Sequence, residues 1–446
     1  MTLPQPSALL TDLYQLTMLQ GYLKQNMTEV AVFEFFVRKL PANRNFLIAA
    51  GLEQVLVYLE ELRFTDDELA WLAASGRFDR QLVEYLANFR FTGTVYAVPE
   101  GTLVFPDEPL IRVVAPLPQA QLVETRLINL LNFETIIASK AARMVLAAPG
   151  KLLVDFGLRR AHGAEAGLLA ARAAYLAGFA GSATVQAELA FGIPSYGTVA
   201  HSFIQAHDSE REAFLNFARL NPENSVLLID TYDTEAAARL VVELAPTLAR
   251  EGISIRAVRL DSGDLGALAK STRATFDAAG LQNIQIFASG GLDEYAIRDL
   301  LAEDAPIDGF GIGTALTTSS DAPNLDCAYK LQEYAGVARR KRSTGKATWP
   351  GRKQVFRRID AAGRMAGDVI TLADDSLEGE PLLQCVMRDG RRTAPAESLD
   401  AVRARVREQM MMLPDPLRRL DSGPRYTVEI AAALEALAME VDRRPT

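Results

Sequence analysis

From residue 150 onward the chain alternates between two kinds of stretch, and this alternation limits its fold more than any other feature. "KLLVDFG", "GSATVQ", "SVLLID", "ISIRAVRLDSGD", "IQIFASGG" and "IDGFGIGT" are short apolar runs bounded by Gly, Asp and Ser. That is the pattern of buried strands. Helical stretches at 163–180, 234–250, 265–280 and 292–303 lie between several of them. Strands that alternate with helices imply parallel pairing, because a parallel neighbour is reached only by a long crossover. The expected fold is α/β, an irregular α/β barrel of six or seven strands; a doubly wound open sheet is the other arrangement. Both place their chemistry at the C-terminal ends of the strands. The unusual residues gather there: Asp155, Phe156, Arg159, Asp230, Asp261, Asp264, Ser289, Gly290, Gly291, Gly311 and Gly313.

The flanking segments differ in style. Residues 1–148 mix helix and strand. "FTGTVYAVPEGTLVFPDEPLIRVVAP" reads as short antiparallel strands, and the following thirty residues as a long helix with Leu127, Leu130 and Leu131 on one face. Beyond residue 330 come strands, basic loops and a tail, "LPDPLRRLDSGPRYTVE", expected to pack back on the N-terminal part. The expected organisation is therefore 1–148, a 149–330 barrel, and 331–446, with the two outer segments forming one α/β domain.

Composition narrows the function. A net charge of −9 disfavours a nucleic-acid binder, which needs a broad basic surface. An anionic ligand must then rely on local cations: Arg38, Lys39 and Arg44, or Arg159 and Arg160, or the run from Arg339 to Lys346. No apolar run is long enough for a membrane helix, and the N-terminus lacks the pattern of a secretion signal. Cys327 and Cys385 form neither a disulfide framework nor zinc-site spacing, so a cytoplasmic location is expected.

Several motifs carry chemistry. "ASGGLDE" and "GFGIGTALT" each end a strand and open a helix. Glycine lets backbone N–H groups approach a phosphate, although each loop also reads as a tight turn. Neither is a P-loop or a dinucleotide fingerprint. "VRLDSGDLG" holds Arg259, Asp261, Ser262 and Asp264. Its carboxylates suit sugar hydroxyls, Mg²⁺ or a developing cation, or Asp261 or Ser262 caps the helix that follows. Asp230 suits the same kind of chemistry or a turn. Phe156 offers a ring for stacking and Arg159 a bidentate anion contact; core packing and a surface pair are the plain readings. His201, in "SYGTVAHSF", is one of three histidines. With no second histidine at ligand spacing, it reads as a catalytic group or a packed ring, and no resident metal site is expected.

Taken together, "LLTDLYQLTM", "FEFFVRKLP", "ETRLINLLNFETIIASKAARM", "DFGLRRAHG", "FGIPSYGTVAHSF", "VRLDSGD", "FASGGLDE", "GFGIGT" and "GKATWPGRKQVFR" resemble the nicotinate phosphoribosyltransferase family. The resemblance runs from about residue 8 to 360. It implies a type II phosphoribosyltransferase barrel and synthesis of nicotinate mononucleotide from nicotinate and 5-phosphoribosyl 1-pyrophosphate. ATP, with Mg²⁺, would be a co-substrate whose hydrolysis is coupled through a phosphohistidine at His201. Asp230 matches the residue that orients that histidine, Asp261 and Asp264 the ribose-binding aspartates, and Arg259 a substrate-contacting arginine. Tyr14 and Phe156 match the aromatics that sandwich the pyridine, Tyr14 coming from the neighbouring subunit of a homodimer with shared sites. Arg159, Arg38 and Lys39 match positions near the anionic substrates. Ser289, Gly290, Gly291, Gly311, Gly313 and Thr314 would hold the 5-phosphate. Ala183, beside Ser182, stands where nicotinamide-using relatives carry an aspartate. Nicotinamide and quinolinate phosphoribosyltransferases, and a non-catalytic metabolite sensor, are the alternatives.

Overall fold

The structure, a computed structural model, describes residues 7–444. The chain divides into two compact units, Lys140–Asp321 and a second built from Met1–Ser139 together with Ala322–Thr446.

The first unit is organised by a six-stranded sheet, all parallel. Its order is Gly181–Ser182, Leu152–Asp155, Gly309–Ile312, Gln285–Ser289, Ile255–Leu260 and Ser225–Leu228. These are the six apolar runs of the sequence. An isolated parallel bridge joins Ser182 to Ser195 beyond one edge. Among the described residues no ladder joins the two edge strands, so the hydrogen-bonded sheet is an open half-barrel. Most strand residues are buried, and helices 164–177, 234–250, 265–278 and 294–302 connect the strands. Thr234–Arg250 shows why such segments become helices: Ala237, Val241, Leu244 and Leu248 recur at helical spacing and are all buried. Asp233 caps its N-terminus by accepting from the Ala236 N–H at 2.7 Å. The helix at 265–278 is capped by Asp264, which accepts from the Ala267 N–H at 3.0 Å. Asp264 thus takes the capping role expected of Asp261 or Ser262, because it sits immediately before the first helical residue.

The second unit contains a seven-stranded sheet. Val30–Lys39 lies within it, antiparallel both to Pro109–Pro116 and to Asp326–Tyr334. The tail is held against the N-terminal segment within this unit. The Asn45 side-chain amide donates to the Arg419 and Asp421 carbonyls, and its oxygen accepts from the Gly423 N–H. Both divisions between the units fall nine residues earlier than the sequence suggests, at Lys140 rather than 149 and after Asp321 rather than 330. The first lies inside the helix Glu124–Ala147. The last turns of that helix carry Lys140 and Arg143, whose charges are satisfied by Glu294 at 2.6 and 2.7 Å.

Candidate active site

The C-terminal ends of the strands bring Phe156, His201, Asp230, Arg259, Asp261 and Ser289 together. Arg259 braces them. Its Nη2 donates to Asp261 Oδ1 at 2.8 Å and its Nε to Ser289 Oγ at 2.8 Å. Its Nη1 donates to the Val199 carbonyl at 3.3 Å, two residues before His201. The guanidinium lies 5.4 Å from the centroid of the Phe156 ring, within cation–π range. Arg259 is thus a hub already committed on several sides. Ser289 is committed as well: it is 2% exposed and donates to Asp261 Oδ1 at 2.5 Å. Its hydroxyl, expected at the phosphate, is bonded to the carboxylate. Burial pushes the Asp261 carboxyl up, but the Ser289 hydroxyl, the Arg259 guanidinium and His201 outweigh it and hold the group below the ordinary carboxylate value. Asp261 is therefore a stable anion at neutral pH.

His201 opens a short helix, His201–Gln205. Its Nδ1 lies 3.2 Å from the Thr231 hydroxyl. Nε2 lies 3.9 Å from Asp230 Oδ1 and 3.7 Å from Asp261 Oδ2, both outside hydrogen-bond reach. Asp230 therefore borders the imidazole without bonding to it. Its Oδ2 instead accepts from the Asp261 N–H at 3.0 Å and from Ser262 Oγ at 2.6 Å, while Oδ1 is buried with no hydrogen-bond partner. The partner on the ring's other nitrogen is Thr231, which sequence reasoning missed. In "IDTYD" the aspartates carry the visible charge, and the threonine between them is uncharged.

The glycine loops divide in role. Gly290 has φ +93°, and a Cβ there would meet the Asp261 carbonyl oxygen at 2.1 Å, so only glycine lets this turn lie against the Asp261 backbone. The helix beyond it is capped by Asp293, which accepts from the Tyr295 and Ala296 N–H groups. A Cβ on Gly311 would stand 2.4 Å from the Phe156 ring. Gly311 therefore seats an aromatic ring. Gly291 and Thr314 are exposed, and Gly313 packs beside the Phe156 carbonyl.

On the other side of Phe156 lies a group that the sequence reading left unassigned. Asp155 is 1% exposed. Its Oδ2 accepts from Ser182 Oγ at 2.7 Å and its Oδ1 from the Gly157 N–H at 2.8 Å. Burial pushes its pKa up to about 6 against those two hydrogen bonds. Ser182 is thereby tied, while Ala183 and Arg159 are exposed. Tyr14, Arg38 and Lys39 belong to the other unit. Tyr14 is 46% exposed, and Arg38 and Lys39 pair with Asp326 at 3.1 and 3.8 Å.

A parallel α/β sheet with carboxylates, an arginine and an accessible histidine gathered at its strand ends defines an enzyme of the α/β class. Comparison with known proteins narrows that class. The chain matches the nicotinate phosphoribosyltransferase N-terminal domain over residues 9–132, the nicotinate phosphoribosyltransferase family over 152–349 and the nicotinate phosphoribosyltransferase C-terminal domain over 375–438. It is 50% identical over 426 residues to Nicotinate phosphoribosyltransferase pncB2 of Mycobacterium tuberculosis, covering 95% of this chain and 91% of that one. It is 39% identical to the nicotinate phosphoribosyltransferase of Bacillus subtilis, covering 84% and 78%. The crystal structure of human nicotinic acid phosphoribosyltransferase superposes with a TM-score of 0.88 at 30% identity, covering 97% of this chain and 99% of that one. The chain belongs to the nicotinate phosphoribosyltransferase family.

Proposed function

We propose that this chain joins nicotinate to 5-phosphoribosyl 1-pyrophosphate, releasing nicotinate mononucleotide and pyrophosphate, and couples the reaction to ATP through phosphorylation of His201. The observation that carries this reading is the open imidazole of His201 beside Asp230 and the Arg259–Asp261–Ser289 network. In the transfer the pyridine nitrogen forms a bond to C1 of the ribose. The C1–oxygen bond to pyrophosphate breaks, and its electron pair leaves with the pyrophosphate. Positive charge develops on the sugar as that bond stretches, and an Asp261 held ionised is suited to stabilise it. Asp264 keeps one oxygen on its helix cap and has the other for a ribose hydroxyl. Phe156, seated on Gly311, supplies a face for the pyridine.

Mg²⁺ accompanying ATP or the phosphoribosyl donor fits the residues present. It commonly takes one or two carboxylates together with substrate phosphates, and Asp230, with its buried oxygen lacking any hydrogen-bond partner, and Asp261 are the pair that would hold it. When bound it would neutralise phosphate charge. The wider reading is that the half-barrel sheet belongs to an irregular type II phosphoribosyltransferase barrel. In a homodimer Tyr14 of a second copy would complete the pyridine pocket, and the enzyme would work in the cytoplasm. The small side chain of Ala183 favours nicotinate over nicotinamide, because no added carboxylate there repels the substrate's own.

The test is nicotinate mononucleotide formation with and without ATP, in the wild type and in His201→Ala. ATP should stimulate the wild type and leave an acid-labile phosphate on it. The variant should keep a slow transfer that ATP does not change. A variant that responds to ATP as the wild type does would remove His201 from the coupling.

A further inference from the structure

Two features of the His201 environment are asymmetric. Nδ1 has a neutral hydroxyl, Thr231 Oγ1, at 3.2 Å. Nε2 has two carboxylate oxygens at 3.7 and 3.9 Å and no hydrogen-bond partner. Each carboxylate is already engaged elsewhere: Asp261 Oδ1 by Arg259 and Ser289, Asp230 Oδ2 by Ser262 and the Asp261 N–H. Only one ring nitrogen is therefore tethered, and the other is open.

We propose that Thr231 is the positioning residue for phosphoryl transfer, holding Nδ1–H of His201 so that Nε2 is the nitrogen that receives the phosphoryl group. The proposal deepens the phosphohistidine reading given above and rests on it. In the step, the Nε2 lone pair attacks the γ-phosphorus of ATP and an N–P bond forms. The bond from that phosphorus to the bridging oxygen breaks, and its electron pair leaves with ADP. The Nδ1 proton stays on the ring and is donated to Thr231 Oγ1, so no base is needed.

A hydroxyl suits this task better than a carboxylate would. It fixes which nitrogen carries the proton and which way the ring faces. Being neutral, it does not bind the positive charge of the phosphorylated ring, as an anion on Nδ1 would. This keeps the N–P bond easy to break, which a transient carrier requires. Threonine also has a stiff side chain, because its branched Cβ restricts χ1, so the hydroxyl is held in one place.

The experiment uses the full chain with ATP and reads the phosphorylated nitrogen by ³¹P NMR and by isomer-specific antibodies. It is repeated for Thr231→Val and Thr231→Ser, with folding checked by circular dichroism. The wild type should carry 3-phosphohistidine, the Nε2 isomer. Thr231→Val should label at least about tenfold more slowly or give mixed isomers, and Thr231→Ser should restore both rate and isomer. A wild type labelled on Nδ1, or a folded Thr231→Val that labels at the wild-type rate on Nε2 alone, overturns the role of Thr231 and leaves the phosphohistidine standing. A wild type with no phosphate on His201 overturns both. The wild-type measurement alone is decisive should the valine variant not fold.

Discussion

Gly311→Ala is the sharpest single test of how the pyridine is held. The added Cβ would lie 2.4 and 2.5 Å from two carbons of the Phe156 ring and 3.0 Å from Phe287. Carbon atoms pack at about 3.5–4.0 Å, so the Phe156 ring must retreat by roughly 1 Å. It cannot do so freely: its own N–H is fixed to the Ile312 carbonyl at 2.8 Å, and Arg259 lies over its face. Overpacking of this kind costs about 1–3 kcal/mol of stability. A misplacement of about 1 Å at a substrate-positioning group costs about 100-fold in rate, or ~2.7 kcal/mol in transition-state binding. The expected result is a kcat/KM for nicotinate lower by about two orders of magnitude. ATP-dependent labelling of His201 should fall far less than kcat/KM, because Gly311 reaches the groups around the imidazole only indirectly, through Phe156 and Arg259 and through its strand partner Ser289. The assay is steady-state kinetics with nicotinate varied, run beside phosphate labelling and a thermal melt. A folded variant with unchanged kcat/KM for nicotinate would show that the Phe156 ring does not hold the pyridine.

Other perturbations have equally defined outcomes. Ala183→Asp should lower kcat/KM for nicotinate by at least about tenfold, ~1.4 kcal/mol, while sparing nicotinamide, as paired specificity constants would show. Asp155→Asn should alter the pH dependence of stability. The unfolded carboxyl releases its proton near pH 4, whereas the native one, pushed up to about 6 by burial, keeps it. The wild type should therefore lose stability, up to about 3 kcal/mol, as pH rises from about 4 to 6, and denaturant titrations of the variant should lack that loss. Lys140→Met leaves the buried Glu294 with Arg143 as its remaining charge partner and leaves Asp321 without its lysine. Breaking a buried pair costs about 3–5 kcal/mol when the other charge is left unpaired; with Arg143 still on Glu294 the loss should fall below that range and show as a lower thermal midpoint.

The sheet was legible in the sequence because each strand is a short apolar run cut off by Gly or Asp, and a strand buried on both faces needs nothing subtler. The long connecting helices were legible for the same reason. The helices Val185–Phe191 and His201–Gln205 were not, since five to seven residues hold too few turns to establish a period. At the site, charged residues announced themselves and hydrogen-bond geometry did not. Thr231 carries no sequence signal beyond standing beside Asp230. Asp155 stood out at a strand end, but only the structure reveals that it ties Ser182 and the turn after Phe156. The capping role went to Asp264 rather than Asp261 because a cap is fixed by where the helix begins, and that boundary is the least certain part of a periodic pattern.

The sheet that holds Val30–Lys39 has a consequence for how the chain is made. One neighbour of that strand, Asp326–Tyr334, begins 287 residues after Lys39 (326 minus 39). At about 5–20 residues per second, the ribosome delivers that neighbour roughly 15–60 s later. Throughout this interval "AVFEFFV" has one edge unpaired and its apolar side chains short of their cover, the kind of edge that invites pairing with another chain. The contiguous unit Lys140–Asp321 emerges whole in the meantime and needs nothing from downstream for its own sheet. Folding in the cell should therefore run from the middle of the chain outward. Nascent chains stalled just after residue 321 has cleared the ribosome should show a protease-resistant 140–321 core beside a degradable N-terminal segment, and a chaperone that shields Val30–Lys39 should raise the yield of native protein.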